Sequence, residues 1–263
     1  LRCRLVTGLW RQFLSPQAGL REVFPLLSIL PLTMFTLYGY GHTILVGALL
    51  TLEVCFASLA VAVLLGMLGA LSKLSPRLLL SLPAKLYTTV VRGIPDLVLM
   101  LIVFYGGQMA VNAIAEKIGH EEYIDVNPFI AGVLTIGFIF GAYMTETFRG
   151  AILAVNPGQL EAGRAYGMTG LQIFSRILLP QMMRHALPGF GNNWLVLTKA
   201  TALVSIIGLN DMVQRASLAA GATHKPFVLY GAVAVNYLLL TTVSIILLKY
   251  FEKRYSAGFS REM

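Results

Sequence analysis

Residues 43–70, TILVGALLTLEVCFASLAVAVLLGMLGA, decide the fold class. A single charged residue, Glu53, interrupts an apolar run long enough to cross the hydrocarbon core of a bilayer, which takes about 17–25 helical residues. Runs of the same kind recur near 97–115, 129–148, 194–209 and 227–248. Lipid offers the backbone no hydrogen-bond partner, so spanning segments are either helices or strands of a closed barrel. Barrel strands alternate in polarity over about 10 residues, and these continuous runs do not. The expectation is an all-α, polytopic membrane protein with five transmembrane helices, the fourth being the shortest and holding Lys199.

The composition agrees. The chain has 263 residues, 57% of them hydrophobic and 12% charged, whereas a soluble domain carries about 25% charged residues. Its net charge of +8 would point to nucleic acid in a soluble protein. Here the cations sit in short loops between apolar runs, so membrane topology explains them and no nucleic-acid partner is implied. Lys73, Arg77, Lys85 and Arg92 lie in the loop 71–92; Arg149, Arg164, Arg176 and Arg184 in the loop 149–190; Lys249, Lys253, Arg254 and Arg261 in the tail. The intervening loops 116–128 and 210–226 hold Lys117, Arg215 and Lys225 beside Glu116, Glu121, Glu122, Asp125 and Asp211. Positive charge stays on the cytoplasmic side. The loop 149–190 and the C-terminus are therefore expected in the cytoplasm, with the start of the first span outside. Cys3 and Cys55 form neither a metal spacing nor a disulfide framework.

Residues 1–36 fit this scheme less well, because Arg2, Arg4, Arg11 and Arg21 would lie on the outer side. Two readings stand: Met34 is the physiological start, or a cationic leader precedes an amphipathic or additional hydrophobic segment, Val23 to Tyr40, weakened as a helix by Pro25 and Pro31. The chain divides accordingly into an extension, 1–36, a transmembrane domain, 37–259, and a tail, 260–263.

The segment EAGRAYGMTGLQIFSRILLP, Glu161 to Pro180, is polar and punctuated by glycine in a chain that is otherwise apolar. It reads as a short amphipathic helix with Asn156, Pro157 and Gly158 at its start and Gly170 near its end. Glu161 near the start is favoured by the helix dipole. The small residues Ala162, Gly163 and Gly167 allow close approach of a facing surface, and Pro180 is expected to stop regular structure before the chain re-enters the membrane.

This segment resembles the EAA loop of ABC importer permeases. The family pattern of Glu-Ala-Ala, three residues, Gly, nine residues and Ile-x-Leu-Pro is met by Glu161, Ala162, Gly167, Ile177, Leu179 and Pro180, with Gly163 replacing the second Ala. From residue 37 onward the chain is also similar to the Q-type permeases of histidine/lysine/arginine/ornithine and opine importers. LYGYGHTILVGALLTLEV (37–54), RGIPDLVLMLIVFYG (92–106), GAYMTETFRGA (141–151), ALPGFGNNW (186–194) and KATALVSIIGL (199–209) carry that likeness. The resemblance implies a helical permease in the bacterial inner membrane that uses the loop to couple to ATPase subunits. Its implied partners are a second permease, a dimer of ATP-binding subunits, a periplasmic amino-acid-binding protein and membrane lipid. ATP and Mg would be bound on the partner ATPase, and the implied substrates are basic amino acids or opines.

Other function classes find little support. There is no G-x-x-x-x-G-K-[ST] phosphate loop, H-E-x-x-H or G-x-S-x-G. A membrane enzyme would need a reactive constellation, and His42, His120, His185 and His224 are scattered. A stand-alone secondary transporter or channel predicts internal repeats, and none stands out.

Ionisable residues inside spans are functional candidates. Glu53, about 15 Å into the first run, is the leading candidate for a cationic-substrate path, the alternative being a hydrogen-bonded acid at a helix interface. Glu146 is a second path candidate, with an i,i+3 pair to Arg149 as the simpler account. Lys199 is the third, or else an anchoring lysine that snorkels. Asp96 after Pro95 reads as an acid at a helix start. Gly137 and Gly141 permit a tight crossing, most simply inside the subunit. Trp194 reads as an interfacial anchor, with Asn192 and Asn193 capping a helix or facing a cavity.

Overall fold

The computed structural model describes residues 37–256 apart from residue 121. The extension 1–36 and the tail 260–263 lie outside the described residues. Within them the chain is helical: α1 Gly41–Leu74, α2 Leu78–Gly93, α3 Asp96–Lys117, α4 Pro128–Leu153, α5 Pro157–Ala165, α6 Gly170–Ile173, α7 Leu179–Ala200, α8 Met212–Thr223 and α9 Pro226–Ser256. Four of these, α1, α3, α4 and α9, are individually long and apolar enough to cross a membrane. A further span, fourth in chain order, is composite when the bent pair is taken as one. It runs from Gly170 to Ile207 and bends by 52° into α8.

The central element is α4. Asn127 caps it by accepting a hydrogen bond from the Phe129 amide at 2.8 Å, and Pro128 occupies its first turn, where a missing N–H costs nothing. Between Gly132 and Ala151 it buries residues on nearly every side, among them Ile136, Phe140, Met144 and Phe148. α1 packs along it through glycine on both helices. A Cβ on Gly137 would lie 2.5 Å from Val61 Cγ1, and one on Gly141 2.9 Å from Leu65 Cβ. Gly66 and Gly69 of α1 are pressed in the same way against Met144 and Thr145. The Gly137–Gly141 spacing is thus used inside the subunit. Without a hydrophobic drive between helices in lipid, such close backbone approach supplies the packing attraction.

Several sequence-based expectations are corrected. The stretch 71–92 is not simply a loop, because Leu78–Gly93 is a 16-residue helix with Pro83 inside it. It buries Ser81, Ala84, Thr88 and Val91 along one face, which the three-to-four-residue spacing aligns. The fourth span begins far earlier than residue 194. Its helix continues from Gly170 through a π-turn, Phe174–Leu178, into α7 and then a 3₁₀ segment, Thr201–Ile207. Gly208, at φ +89°, ends it in a left-handed conformation open to glycine. Trp194 is not an interfacial anchor. It is 8% exposed, belongs to the main buried cluster, and its ring lies tilted at 5.3 Å from that of Phe56 on α1.

Candidate functional site

The segment 156–180 folds as a helical hairpin. Asn156 Oδ1 accepts from the Gly158 amide at 2.9 Å and starts α5, as its sequence indicates. The helix then ends sooner than expected. Gly167 has φ +74°; its amide donates to Arg164 O at 2.9 Å, and the Met168 amide donates to Gly163 O at 3.0 Å. That pair of bonds is a Schellman turn with Gly167 at the left-handed position. Gly170 stands at the beginning of the next helix, not the end of the first, because Thr169 and Gln172 form a reciprocal capping box there.

Pro180 does not stop regular structure. It falls in the first turn of α7, directly after the π-turn, where the hydrogen-bond register has already shifted and the missing N–H is tolerated.

The pattern residues separate into two groups. Gly163 is buried, and a Cβ there would lie 2.7 Å from Ile177 Cδ1 and 3.3 Å from Ile173 Cγ1. Gly163 and Ile177 therefore lock α5 against the helix that follows. Leu179 is partly buried against the main core, and Gln181 donates to Gln159 across the hairpin. Glu161 and Ala162 are exposed instead, beside Ala165 and a Tyr166 that is 89% exposed. The hairpin thus holds a small, open surface around Ala162 on a braced support. Gly167 shapes the turn and would meet nothing within 4 Å, so close approach of a facing surface is not what its size serves within this chain.

Polar residues between the helices form a second set. Glu146 accepts from Lys73 and, at 3.0 Å, from Arg149 Nε. Lys73 also donates to Thr88 Oγ1 at 2.8 Å, so one carboxylate ties α1, α2 and α4 together. Removing that acid would leave two neighbouring cations uncompensated. One turn away, Tyr143 donates to Asp96 Oδ1 at 3.5 Å at the start of α3, and the Arg92 guanidinium lies 5.6 Å from the Tyr143 ring. Asn193 of α7 donates to Thr147 at 2.9 Å. The structure does not bring Glu53, Glu146 and Lys199 together: Glu146 is engaged, while Glu53 and Lys199 are exposed. Sequence reasoning missed Lys73, Thr88, Tyr143 and Thr147. Lys73 was legible only as a topology cation, and a hydroxyl inside an apolar run gives no signal of its partner.

Comparison with known proteins decides what this architecture belongs to. The family described as binding-protein-dependent transport system inner membrane component matches residues 62–257. The chain belongs to this family. Among its relatives, the histidine/lysine/arginine/ornithine transport system permease protein HisQ of Escherichia coli (strain K12) is 51% identical over 225 residues, covering 86% of this chain and 98% of that one. The octopine transport system permease protein OccQ of Rhizobium radiobacter is 40% identical over 223 residues, covering 85% and 94%. A crystal structure of an amino acid ABC transporter with histidines aligns with a TM-score of 0.70 at 32% identity, over 84% of this chain and 98% of that one. The MetNI methionine ABC transporter, at 16% identity and TM-score 0.63, shares the fold over 81% and 95%. As an inner membrane permease component the chain is a multi-pass transport subunit, and the binding-protein-dependent family works with ATPase and binding-protein partners in general.

Proposed function

We propose that this chain is the permease subunit of an ATP-driven importer of basic amino acids: histidine, lysine, arginine, ornithine or an opine-like derivative. It would work beside a second permease, a dimer of ATP-binding subunits that hold ATP and Mg, and a periplasmic amino-acid-binding protein. The observation that carries this reading is the braced hairpin with its exposed surface at Glu161, Ala162 and Tyr166, in a chain whose relatives include permeases for such substrates. In this reading the ATPase grips that surface. Because α5 is locked to the fourth span through Gly163 and Ile177, a push on the hairpin passes into α7 without being lost in a flexible loop.

Glu53, Glu146 and Lys199 are the residues proposed to act along the path. A basic amino acid carries both a carboxylate and cations, so separate acidic and basic groups at the path suit it. The proposal is tested by purifying the chain with the subunits expressed beside it and assaying uptake of labelled arginine in proteoliposomes. Uptake should require ATP and binding protein and be competed by lysine, ornithine or histidine. ATP-independent uptake would instead support a stand-alone transporter.

The C-terminus and the hairpin are proposed to face the cytoplasm, on the strength of the cation asymmetry. Single cysteines at Glu122 and Arg164, in a background lacking Cys3 and Cys55, check this. An impermeant maleimide applied to intact spheroplasts should label position 122 and leave 164 unlabelled; the reverse pattern overturns the orientation.

A further inference from the structure

Arg92 and Asp96 carry opposite charges four residues apart, the spacing at which such groups pair on a continuous helix. Among the described residues they form no ion pair. The chain breaks between them: α2 ends at Gly93, Ile94 is extended at φ −108° and ψ 140°, and Pro95 precedes Asp96, the first residue of α3. Both side chains meet Tyr143 of α4 instead. The Arg92 guanidinium lies 5.6 Å from its ring centroid, and the Tyr143 hydroxyl donates to Asp96 Oδ1 at 3.5 Å. That bond is longer than the roughly 2.5–3.0 Å of a well-made O–H···O bond, so the carboxylate has room for a stronger donor. The Arg92 guanidinium is exposed and makes no hydrogen bond among the described residues.

This cluster belongs to a polar wall. Ser81, Lys85, Thr88 and Arg92 recur along α2 at three- and four-residue spacings, and Leu79, Leu82, Leu86 and Val90 recur in the same way on a separate stripe. The leucine stripe is the exposed apolar side, with Leu79 91% exposed. The polar stripe runs past Lys73, whose ammonium donates to Thr88. On α4, Tyr143, Glu146 and Thr147 share a partly open face, while Phe140, Met144 and Phe148 are buried. Asn193 of α7 joins that face through its hydrogen bond to Thr147. Four helices therefore contribute polar groups to one side of the subunit, and Arg92 and Asp96 are its two opposite charges left unpaired at the break.

We propose that Arg92 and Asp96 receive the α-carboxylate and the α-ammonium of the transported amino acid, with Tyr143 between them. An α-amino acid carries both charges on one carbon, so it bridges two groups that the extended residues 94 and 95 hold apart. Each charge then gains a charge-assisted hydrogen bond, and the planar fork of Arg92 matches a carboxylate with two parallel bonds. This rests on the reading of the chain as an amino-acid importer and deepens it. The head group is common to histidine, lysine, arginine and ornithine, so the pair selects amino acids as a class and leaves discrimination among side chains to other groups.

The test uses the whole importer with its companion subunits in nanodiscs, without binding protein, and measures displacement of labelled arginine at equilibrium. Argininamide, which lacks the carboxylate, and Nα-acetylarginine, which lacks the ammonium, should each displace it roughly tenfold or more less effectively than arginine. R92Q should weaken arginine by about the same factor and leave argininamide unchanged. D96N should weaken arginine likewise and leave acetylarginine unchanged. R92K, which keeps the charge without the fork, should retain part of the arginine affinity. Equal weakening of arginine and both analogues marks a structural defect and overturns the proposal, as does an unaltered preference in both variants. Absence of arginine binding in an importer that transports arginine overturns it too. If the unaltered importer, supplied with ATP and binding protein, takes up no basic amino acid, the reading beneath the proposal falls as well, which separates the two failures.

Discussion

Ala162→Trp is expected to stop ATP-driven uptake while the chain still inserts and folds. Ala162 is exposed on α5 beside Glu161 and Tyr166 and is not part of the buried core clusters, so the larger side chain displaces no core residue. Tryptophan is a tolerable helix residue. Against an ATPase surface fitted to alanine, however, it overpacks, which costs about 1–3 kcal/mol, or roughly 5- to 150-fold in association. Stimulated ATP hydrolysis and uptake should fall together by that factor, with the thermal midpoint of the detergent-solubilised chain unchanged. Normal uptake in this variant would show that the hairpin is not where the ATPase docks.

Gly167 supplies the control. Its left-handed φ of +74° makes a bulky substitution strained by about 1–2 kcal/mol before any partner is considered. Asn tolerates that conformation, so Gly167→Asn should keep transport where Gly167→Leu loses it. Equal loss in both would point away from turn geometry.

Gly66→Leu is expected to have the largest effect on the subunit itself. A Cβ at Gly66 runs into Met144 Cβ and the Met144 backbone, and neither is the yielding end of a flexible side chain. The α1–α4 contact would have to open along its length. An overpacking cost of about 3 kcal/mol or more corresponds to a fall of roughly 5–10 °C in thermal midpoint for a chain of this size. Differential scanning fluorimetry in detergent measures it. Gly66→Ala should cost less than Gly66→Leu yet still destabilise, because its single added carbon already meets Met144 Cβ, an atom that no truncation of Met144 to alanine would remove. A thermal midpoint unchanged by Gly66→Leu would mean that the two helices do not meet here.

The helical nature of the spans, and their number to within the four or five that the structure offers, were legible in the linear sequence. Apolar runs with no alternation leave lipid-embedded backbone one way to satisfy its hydrogen bonds, and that condition is local to each run. Asn156 as a cap, the Glu146–Arg149 pair and Asp96 at a helix start were readable for the same reason, since each involves residues within a few positions.

What only tertiary structure decided depends on what stands across a contact. Lys73 became the partner of Glu146 because α1 and α4 pack side by side, although 73 residues separate them. Trp194 proved buried because it packs into the main core cluster and against Phe56 of α1. Pro180 continued a helix because a π-turn had already moved the register. Gly163 and Gly167 look alike as small residues in a row, yet one is small for Ile177 and the other is glycine for its φ. Sequence spacing fixes which residues share a helix face, whereas the identity of the facing surface is set only when the helices have packed.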